Sequence, residues 1–208
     1  MVSAVIKEYL MNLSAQKAPG PQPSFSVFDL VTAIELIAKE GPIGRGRLAE
    51  ELDLGGGAIR TLIKRLMESG LIDTSKLGCS LTEKGSKIWN EIREIIPQRV
   101  RLLENDLTFA VYNVAVLVKG RADRVRDGLE QRDATVAAGA KGATTLIFKD
   151  KKLIVPHVSQ DLAMDFPEAF KQITEKMRIE ENDVIVIGSA DAPKRADYGA
   201  LAAAWTLI

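Results

Sequence analysis

The glycine run Gly55–Gly57 lies between two segments with helical apolar spacing, and it constrains the fold of this chain more than any other feature. Residues 45–52 form the short segment before it. In the segment after it, apolar residues recur at i, i+3, i+4 and i+7, which predicts one buried helical stripe. A sharp turn between two helices often contains a glycine with positive φ, and we expect Gly55 to supply it. The stripe comprises Ile59, Leu62, Ile63 and Leu66.

The face opposite this stripe is cationic. It carries Arg60, Thr61, Lys64 and Arg65, a combination suited to contacts with phosphates and base edges in a DNA major groove. The bare helix start at Gly56 and Gly57 would let backbone N–H groups approach a phosphate closely. The alternative is that these charges are simply solvated, as most charges on helix surfaces are.

The elements on either side complete a recognisable order. Ser26 is a suitable N-cap for a helix that ends at Gly41-Pro42. Residues 71–82 predict two short strands around a turn at 75–78, with Lys76 at the tip. Thr82 is expected to cap a further helix.

This order resembles the winged-helix domains of bacterial and archaeal transcription regulators. The stretches IGRGRLAEELDLGGGAIRTLIKRLMESGLI and SLTEKG carry the resemblance, which covers about 25–96. It implies that Arg60, Thr61 and Lys64 face a DNA groove, although the Gly-Gly-Ala start of the helix lacks side-chain donors. Winged helices also contact protein or RNA, and that alternative stays open. The predicted DNA-binding residues are Arg45, Arg47, Gly56, Gly57, Arg60, Thr61, Lys64, Arg65 and Lys76.

Composition limits the other possibilities. The 28 basic and 28 acidic residues give no net charge, so a nucleic-acid contact requires a local patch. One cysteine and one histidine, Cys79 and His157, argue against a disulfide framework and a Cys/His metal cluster. No apolar run approaches the roughly 20 residues of a membrane span, and the N-terminal segment lacks a signal-peptide pattern. We therefore expect a cytoplasmic protein without a cofactor.

The chain divides into regions of different pattern. We predict a flexible lead-in over 1–24, a winged helix-turn-helix over 25–97, a linker helix over 98–106 and an α+β domain over 107–208. The apolar residues of 84–105 would either pair two subunits or pack on the chain's own second domain. The predicted fold class is α+β, with a small layered α/β C-terminal domain.

The C-terminal half predicts the order β-α-β-β-α-β-α. Its first strand is expected over 108–120, and its first helix, over 121–138, is expected to turn Val125, Leu129 and Val136 inward. Asp165, three residues before Glu168, resembles a capping box for the next long helix.

Three polar stretches of this half are candidate effector sites. They are the loop 139–145, the strand end 188–191 and the polar segment 131–133, although each also has a plain structural interpretation. No catalytic triad, nucleotide loop or close carboxylate pair supports an enzyme. The candidate effector-binding residues are Arg132, Asp133, Lys141, Thr144, Thr145, Ser189 and Asp191.

Two stretches, QRDATVAAGAKGATTL and YGALAAAWTL, are similar to archaeal two-domain proteins with a winged helix followed by a domain of unknown function. The similarity implies a transcription regulator without catalytic residues. We therefore expect a dimeric regulator that binds double-stranded DNA and has a C-terminal ligand-sensing or dimerisation domain. The alternatives are an assembly module that docks to protein or RNA, and an enzyme with an accessory winged helix.

Overall fold

A computed structural model describes residues 2–15 and 24–208 and divides the chain into two compact units. The N-terminal unit comprises Met1–Ile92 and the C-terminal unit Arg93–Ile208. Helices dominate the first unit and a β-sheet organises the second. The α+β class is therefore confirmed.

The described part of the N-terminal unit contains helices and one β-hairpin. Its core is formed by fully buried leucine and isoleucine side chains from all four of its first helices. The elements are α1 (Val2–Ser14), α2 (Val27–Glu40), α3 (Arg45–Leu52), α4 (Gly56–Glu68), β1 (Ile72–Ser75), β2 (Gly78–Leu81) and α5 (Glu83–Ile95), the last of which runs past the unit boundary.

Helix α2 begins where its sequence predicts. The Ser26 hydroxyl accepts a hydrogen bond from the Asp29 N–H, and the Asp29 carboxylate accepts one from the Ser26 N–H at 2.7 Å. Such a reciprocal cap is worth about 1 kcal/mol. The helix ends at Glu40. The C-cap Gly41 donates its N–H to the Ile37 carbonyl, and its φ of 76° then turns the chain out of the helix.

The β1–β2 hairpin is attached to the connection between α2 and α3. Ile43 and Cys79 exchange backbone hydrogen bonds of 3.0 and 2.9 Å. Gly78 makes this approach possible, because a Cβ at this position would lie 2.5 Å from the Ile43 carbonyl oxygen. The hairpin is thus fixed beside the start of α3.

The predicted flexible lead-in is wrong over 2–14, which form α1. Leu10 and Leu13 are buried, because the apolar side chains of this segment recur at helical spacing and pack against α2. The remaining part of the prediction, 16–23, lies outside the described residues.

The C-terminal unit is built on a five-stranded antiparallel sheet in the order β3-β4-β7-β5-β6. A short 3-10 turn at Ala122–Arg124 follows β4. The elements are β3 (Gln98–Leu102), β4 (Tyr112–Val118), α6 (Leu129–Ala137), β5 (Gly142–Lys149), β6 (Lys152–Ile154), α7 (Leu162–Asp165), α8 (Pro167–Lys176), β7 (Val184–Ala190) and α9 (Pro193–Thr206).

Helices cover both faces of this sheet. On one face α9 lies so close to β7 that a Cβ at Gly188 would meet the Ala200 backbone nitrogen at 2.6 Å, and α6 packs beside α9. On the other face Ile173 of α8 joins a core with Leu117 and Ile187 of the sheet. The result is a three-layer α/β/α unit.

Two predictions for the segment before and within β4 require correction. The expected linker helix at 98–106 is wrong, because 98–102 form β3 and pair with β4. The expected strand at 108–120 is shorter, since β4 begins at Tyr112. The observed order is β-β-α-β-β-α-α-β-α, with one more strand and one more helix than the sequence predicts.

Two side-chain predictions in this unit are also wrong. Leu129 and Val136 are exposed, whereas Gln131 and Thr135 form the inner face of α6. The Gln131 amide donates to the Thr206 hydroxyl at 2.7 Å, and the Thr135 hydroxyl donates to the Gly199 carbonyl at 3.0 Å. These donors therefore have partners inside the unit. Asp165 accepts a hydrogen bond from the Ser159 hydroxyl and does not cap α8.

Candidate nucleic-acid interface

Helix α4 separates an apolar face from a polar one, as predicted. Ile59, Leu62 and Leu66 are at most 1% exposed and Ile63 is 8% exposed. The opposite side of the helix is exposed from Gly56 to Glu68. Burial of the stripe therefore fixes the rotation of α4 about its axis and decides which side chains reach solvent.

Three predicted contact residues lie on this exposed face. The Arg60 Nε donates to the Gly56 carbonyl at 3.0 Å, and the Thr61 hydroxyl donates to the Gly57 carbonyl at 3.0 Å. Lys64 lies 3.7 Å from the Glu68 carboxylate. An exposed pair of this kind contributes only about 0.2–1 kcal/mol, so a phosphate could displace Glu68 at low cost.

Arg45 joins these residues in one groove. The side chains of Arg45, Arg60 and Lys64 line an open depression of about 380 Å³ between the start of α3 and the outer face of α4. Three cations and one carboxylate make this groove locally positive in a chain without net charge. The carboxylate belongs to Glu68, and the apolar side chains of Ile63 and Met67 complete the lining. The sequence did not predict this apolar part of the groove.

The start of α4 is a bare backbone. Gly55 is the N-cap, and no side chain caps the helix. A Cβ at Gly55, Gly56 or Gly57 would meet no atom within 4 Å, so packing inside the protein does not require glycine there. The expected positive φ at Gly55 is wrong. Its φ is −63°, and the left-handed residue of the turn is Asp53, because Asp tolerates this conformation.

Arg65 does not belong to the exposed face. Its guanidinium donates to the carbonyls of Leu13 and Ala15 at 2.6 and 2.7 Å and lies 5.2 Å from the centroid of the Phe25 ring. The residue is 9% exposed, and the prediction that it contacts DNA is wrong for this structure. Arg65 instead holds the end of α1 against α4.

The two remaining cations of the predicted set are exposed but differ in environment. Arg47 forms ion pairs with Glu51 at 2.8 Å and Glu40 at 3.9 Å, which reduces the charge it offers to a ligand. Lys76 lies at the tip of the β1–β2 hairpin next to Leu77, which is also exposed.

The candidate effector residues do not meet in one site. Lys141 and Asp191 form an exposed ion pair of 2.7 Å, and the Lys141 N–H donates to the Ser189 carbonyl. Thr144 and Thr145 are buried and, as neighbours in β5, point to opposite faces of the sheet. Arg132 and Asp133 pair with each other on the surface of α6.

Other reactive groups offer little chemistry. Burial raises the pKa of the Cys79 thiol, which keeps it in the unreactive protonated form. Within the described ranges, no group of three His, Cys, Asp or Glu side chains is arranged to hold a metal ion. None of the helices there is both long and apolar enough to cross a bilayer.

The two compact units define a two-domain α+β protein, and comparisons with known proteins agree with this division. Residues 27–87 match the PH0730-like N-terminal domain, and residues 109–207 match DUF4443, a domain of unknown function.

A solved structure described as hypothetical protein PH0730 from the archaeon Pyrococcus horikoshii OT3 is similar over both domains. The identity is 28%, the match covers 88% of this chain and 93% of that one, and the TM-score is 0.71. A second match, to HmgR of Pseudomonas aeruginosa, has 9% identity over 86% of this chain and 96% of that one, with a TM-score of 0.28. No curated protein matches. The chain thus shares its two-domain organisation with an archaeal protein whose description names no activity.

Proposed function

We propose that the N-terminal unit is a winged helix that binds double-stranded DNA and that the protein regulates transcription. The observation that carries the proposal is the groove in which Arg45, Arg60 and Lys64 converge on the exposed face of α4. In this interpretation α3 and α4 form the helix-turn-helix, α4 enters the major groove, and the β1–β2 hairpin is the wing.

The distribution of charge supports this interpretation. Arg60 and Lys64 are one helical turn apart on α4, which suits contacts along one groove. Lys76, at the tip of the hairpin, can reach a flanking phosphate. Arg45 and Arg47, near the start of α3, would anchor the DNA backbone beside them.

The first prediction concerns the cationic groove. Replacing Arg60 and Lys64 together by alanine is expected to weaken duplex binding by about 10- to 100-fold and to reduce the salt slope by roughly two units, because two phosphate or base contacts are lost. Fluorescence anisotropy on DNA selected from a random duplex library by the unaltered protein measures both quantities.

A matched control removes the same charge elsewhere. Lys149→Ala with Lys151→Ala deletes two exposed cations of the β5–β6 hairpin and is expected to leave the affinity unchanged. Equal duplex affinity of the unaltered protein and the variant with Arg60→Ala and Lys64→Ala would reject this interface. Equal losses in both variants would point to a non-specific effect of net charge.

The second prediction concerns the bare helix start. Gly56→Ala with Gly57→Ala is expected to stabilise the unit by about 0.5–1 kcal/mol, because both glycines lie in open space at helical φ and alanine loses less entropy on folding. If DNA phosphates approach this backbone, affinity falls while stability rises. Urea unfolding and anisotropy on the same samples test the two effects. Unchanged affinity would remove Gly56 and Gly57 from the interface.

A winged helix that docks to protein or RNA is the second candidate, favoured by exposed apolar side chains beside the cations. Met67 of α4 is 43% exposed and Leu77 of the hairpin 78% exposed. Competition between duplex DNA and single- or double-stranded RNA of the same sequence shows which nucleic acid the N-terminal unit prefers. Preference for RNA would replace the proposal of a DNA regulator.

A further inference from the structure

Four exposed residues lie on the side of α4 opposite its buried stripe. They are Gly57, Arg60, Thr61 and Lys64, here called the contact face. Successive residues of an α-helix are about 100° apart around its axis, so these four positions fall within an arc of about 100°. Arg60 and Thr61 occupy the two edges of that arc. A ligand that approaches the contact face therefore meets all four residues together.

The guanidinium of Arg60 is held at one of its three nitrogens. Its Nε donates to the Gly56 carbonyl at 3.0 Å, and among the described residues its two terminal nitrogens have no hydrogen-bond or ion-pair partner. These two nitrogens form a fork of donors at the outer end of the side chain. Guanine presents two acceptors, O6 and N7, in the major groove, and the arginine fork matches them. Because the backbone already holds Nε, less freedom is lost when the fork binds.

The hydroxyl of Thr61 is directed back to the helix. It donates to the Gly57 carbonyl at 3.0 Å, so its hydrogen does not remain available for a base. The methyl group is the other heavy atom on the Cβ of Thr61 and is left as its contact group. Thymine alone carries a methyl group in the major groove, and a threonine methyl makes apolar contact with it. The hydrogen bond to Gly57 thus favours thymine as the base that Thr61 meets.

The spacing of Arg60 and Thr61 fits two neighbouring base pairs. Successive Cα atoms lie about 3.8 Å apart, close to the distance of about 3.4 Å between stacked base pairs. One helical turn before them lie Gly56 and Gly57, which carry no side chain, and a Cβ at either glycine would meet no atom within 4 Å. Base edges can therefore approach the first turn of α4 without displacing a protein group.

We propose that α4 recognises two adjacent base pairs of its DNA site, a G·C pair through Arg60 and an A·T pair through the Thr61 methyl. The inference rests on the proposed function, because it names the sequence class that the same helix binds. Lys64 has a different role in it. This lysine contacts a phosphate, since a single ammonium 3.7 Å from the Glu68 carboxylate supplies charge without the fork of Arg60.

Replacement of single atoms in the DNA tests the contact of Arg60. The full chain selects its site from a random duplex library, and the selected site is expected to contain adjacent guanine and thymine. Substituting 7-deazaguanine for that guanine removes N7 and keeps the base pair. The unaltered protein is expected to lose at least about fivefold in affinity. Arg60→Lys keeps the charge, so it is expected to bind both duplexes alike with an unchanged salt slope.

Substituting uracil for the selected thymine tests the contact of Thr61, because it removes only the methyl group of the base. The unaltered protein is expected to lose about fourfold in affinity, the effect of exposing one methyl group. Thr61→Ser keeps the hydroxyl and is expected to bind both duplexes alike. Thr61→Val keeps a methyl group and is expected to retain the preference for thymine. Circular dichroism melting of each variant monitors folding.

The control Lys64→Ala is expected to weaken binding to all of these duplexes alike and to reduce the salt slope by about one unit. An unaltered protein that binds duplex DNA but is indifferent to both base changes overturns this inference and leaves the proposed DNA binding intact. Discrimination that persists in Arg60→Lys and Thr61→Ser also overturns it, because other residues then recognise the bases. Absence of duplex binding overturns the proposed function and this inference together.

Discussion

Replacing Gly85 by alanine is expected to destabilise the N-terminal unit by about 4 kcal/mol or more, the range reserved for severe steric conflicts. A Cβ at this position would lie 2.0 Å from the Leu71 carbonyl oxygen and 3.3 Å from the Leu81 side chain. That oxygen belongs to the backbone, so no rotation of a side chain relieves the conflict. Urea unfolding of the full chain, followed by circular dichroism, measures the loss.

The Leu71 carbonyl also connects elements on both sides of the hairpin. It accepts a hydrogen bond of 3.0 Å from the Thr82 N–H, and the Thr82 hydroxyl accepts from the Gly85 N–H. Moving α5 away from Leu71 therefore breaks the closure of the hairpin as well as the start of the helix. The expected loss exceeds that of an ordinary cavity or surface change for this reason.

Gly46 provides the matched control, because it is also a helical glycine. It lies within α3, and a Cβ there would meet no atom within 4 Å. Gly46→Ala is expected to increase the free energy of unfolding by about 0.5–1 kcal/mol through helix propensity. A loss below about 1 kcal/mol for Gly85→Ala would show that α5 can shift away from Leu71 at little cost.

Arg65→Leu is expected to destabilise the same unit by about 3 kcal/mol. The variant keeps an apolar stem but removes two charge-assisted hydrogen bonds of 2.6 and 2.7 Å and the contact with Phe25. The carbonyls of Leu13 and Ala15 lie at the end of α1, where a cation is also favoured by the helix dipole. Hydrogen exchange of the α1 amides, together with urea unfolding, measures the effect.

Arg60→Leu is the control for this change. Arg60 is exposed on the same helix, and its removal is expected to alter stability by less than about 0.5 kcal/mol while weakening DNA binding. Arg65→Leu is expected to show the reverse, with lower stability and near-normal affinity where the protein is folded. Loss of affinity without loss of stability for Arg65→Leu would return this residue to the DNA interface.

The local signals of the N-terminal unit are strong enough to predict α2 to α5, whereas the prediction misses α1. The limits of α3, the apolar stripe of α4 and the cap at Ser26 all follow from residues within a few positions of one another. The turn shows where such signals fail. The three glycines suggest that one of them adopts the left-handed conformation of the turn. In the structure Asp53 adopts this conformation, and the glycines keep negative φ angles.

The errors in the C-terminal unit have a different origin, because pairing in the sheet is not local. Polar and apolar side chains alternate only over 99–102, which is too few positions to distinguish a short strand from a continuing helix. The inner face of α6 is polar only because Gln131 and Thr135 find partners on α9, which lies more than 60 residues later. Spacing within α6 alone cannot reveal those partners.

The candidate site could be predicted in part. Arg60, Thr61 and Lys64 are exposed because the stripe of α4 fixes their direction, and this follows from the sequence. Arg65 could not be assigned in the same way, since its burial depends on the return of α1 to the surface of α4. The helical apolar spacing of 6–13 is the signal that could have indicated a covering element there.

Helix α8 closes part of the edge strand β3, and this has a consequence for the behaviour of the protein at high concentration. An open edge strand recruits strands from other molecules and starts fibrous aggregates. Here the Lys176 ammonium and the Gln172 amide already occupy backbone groups along that border. Addition of a foreign strand along this part of β3 should therefore require α8 to detach first.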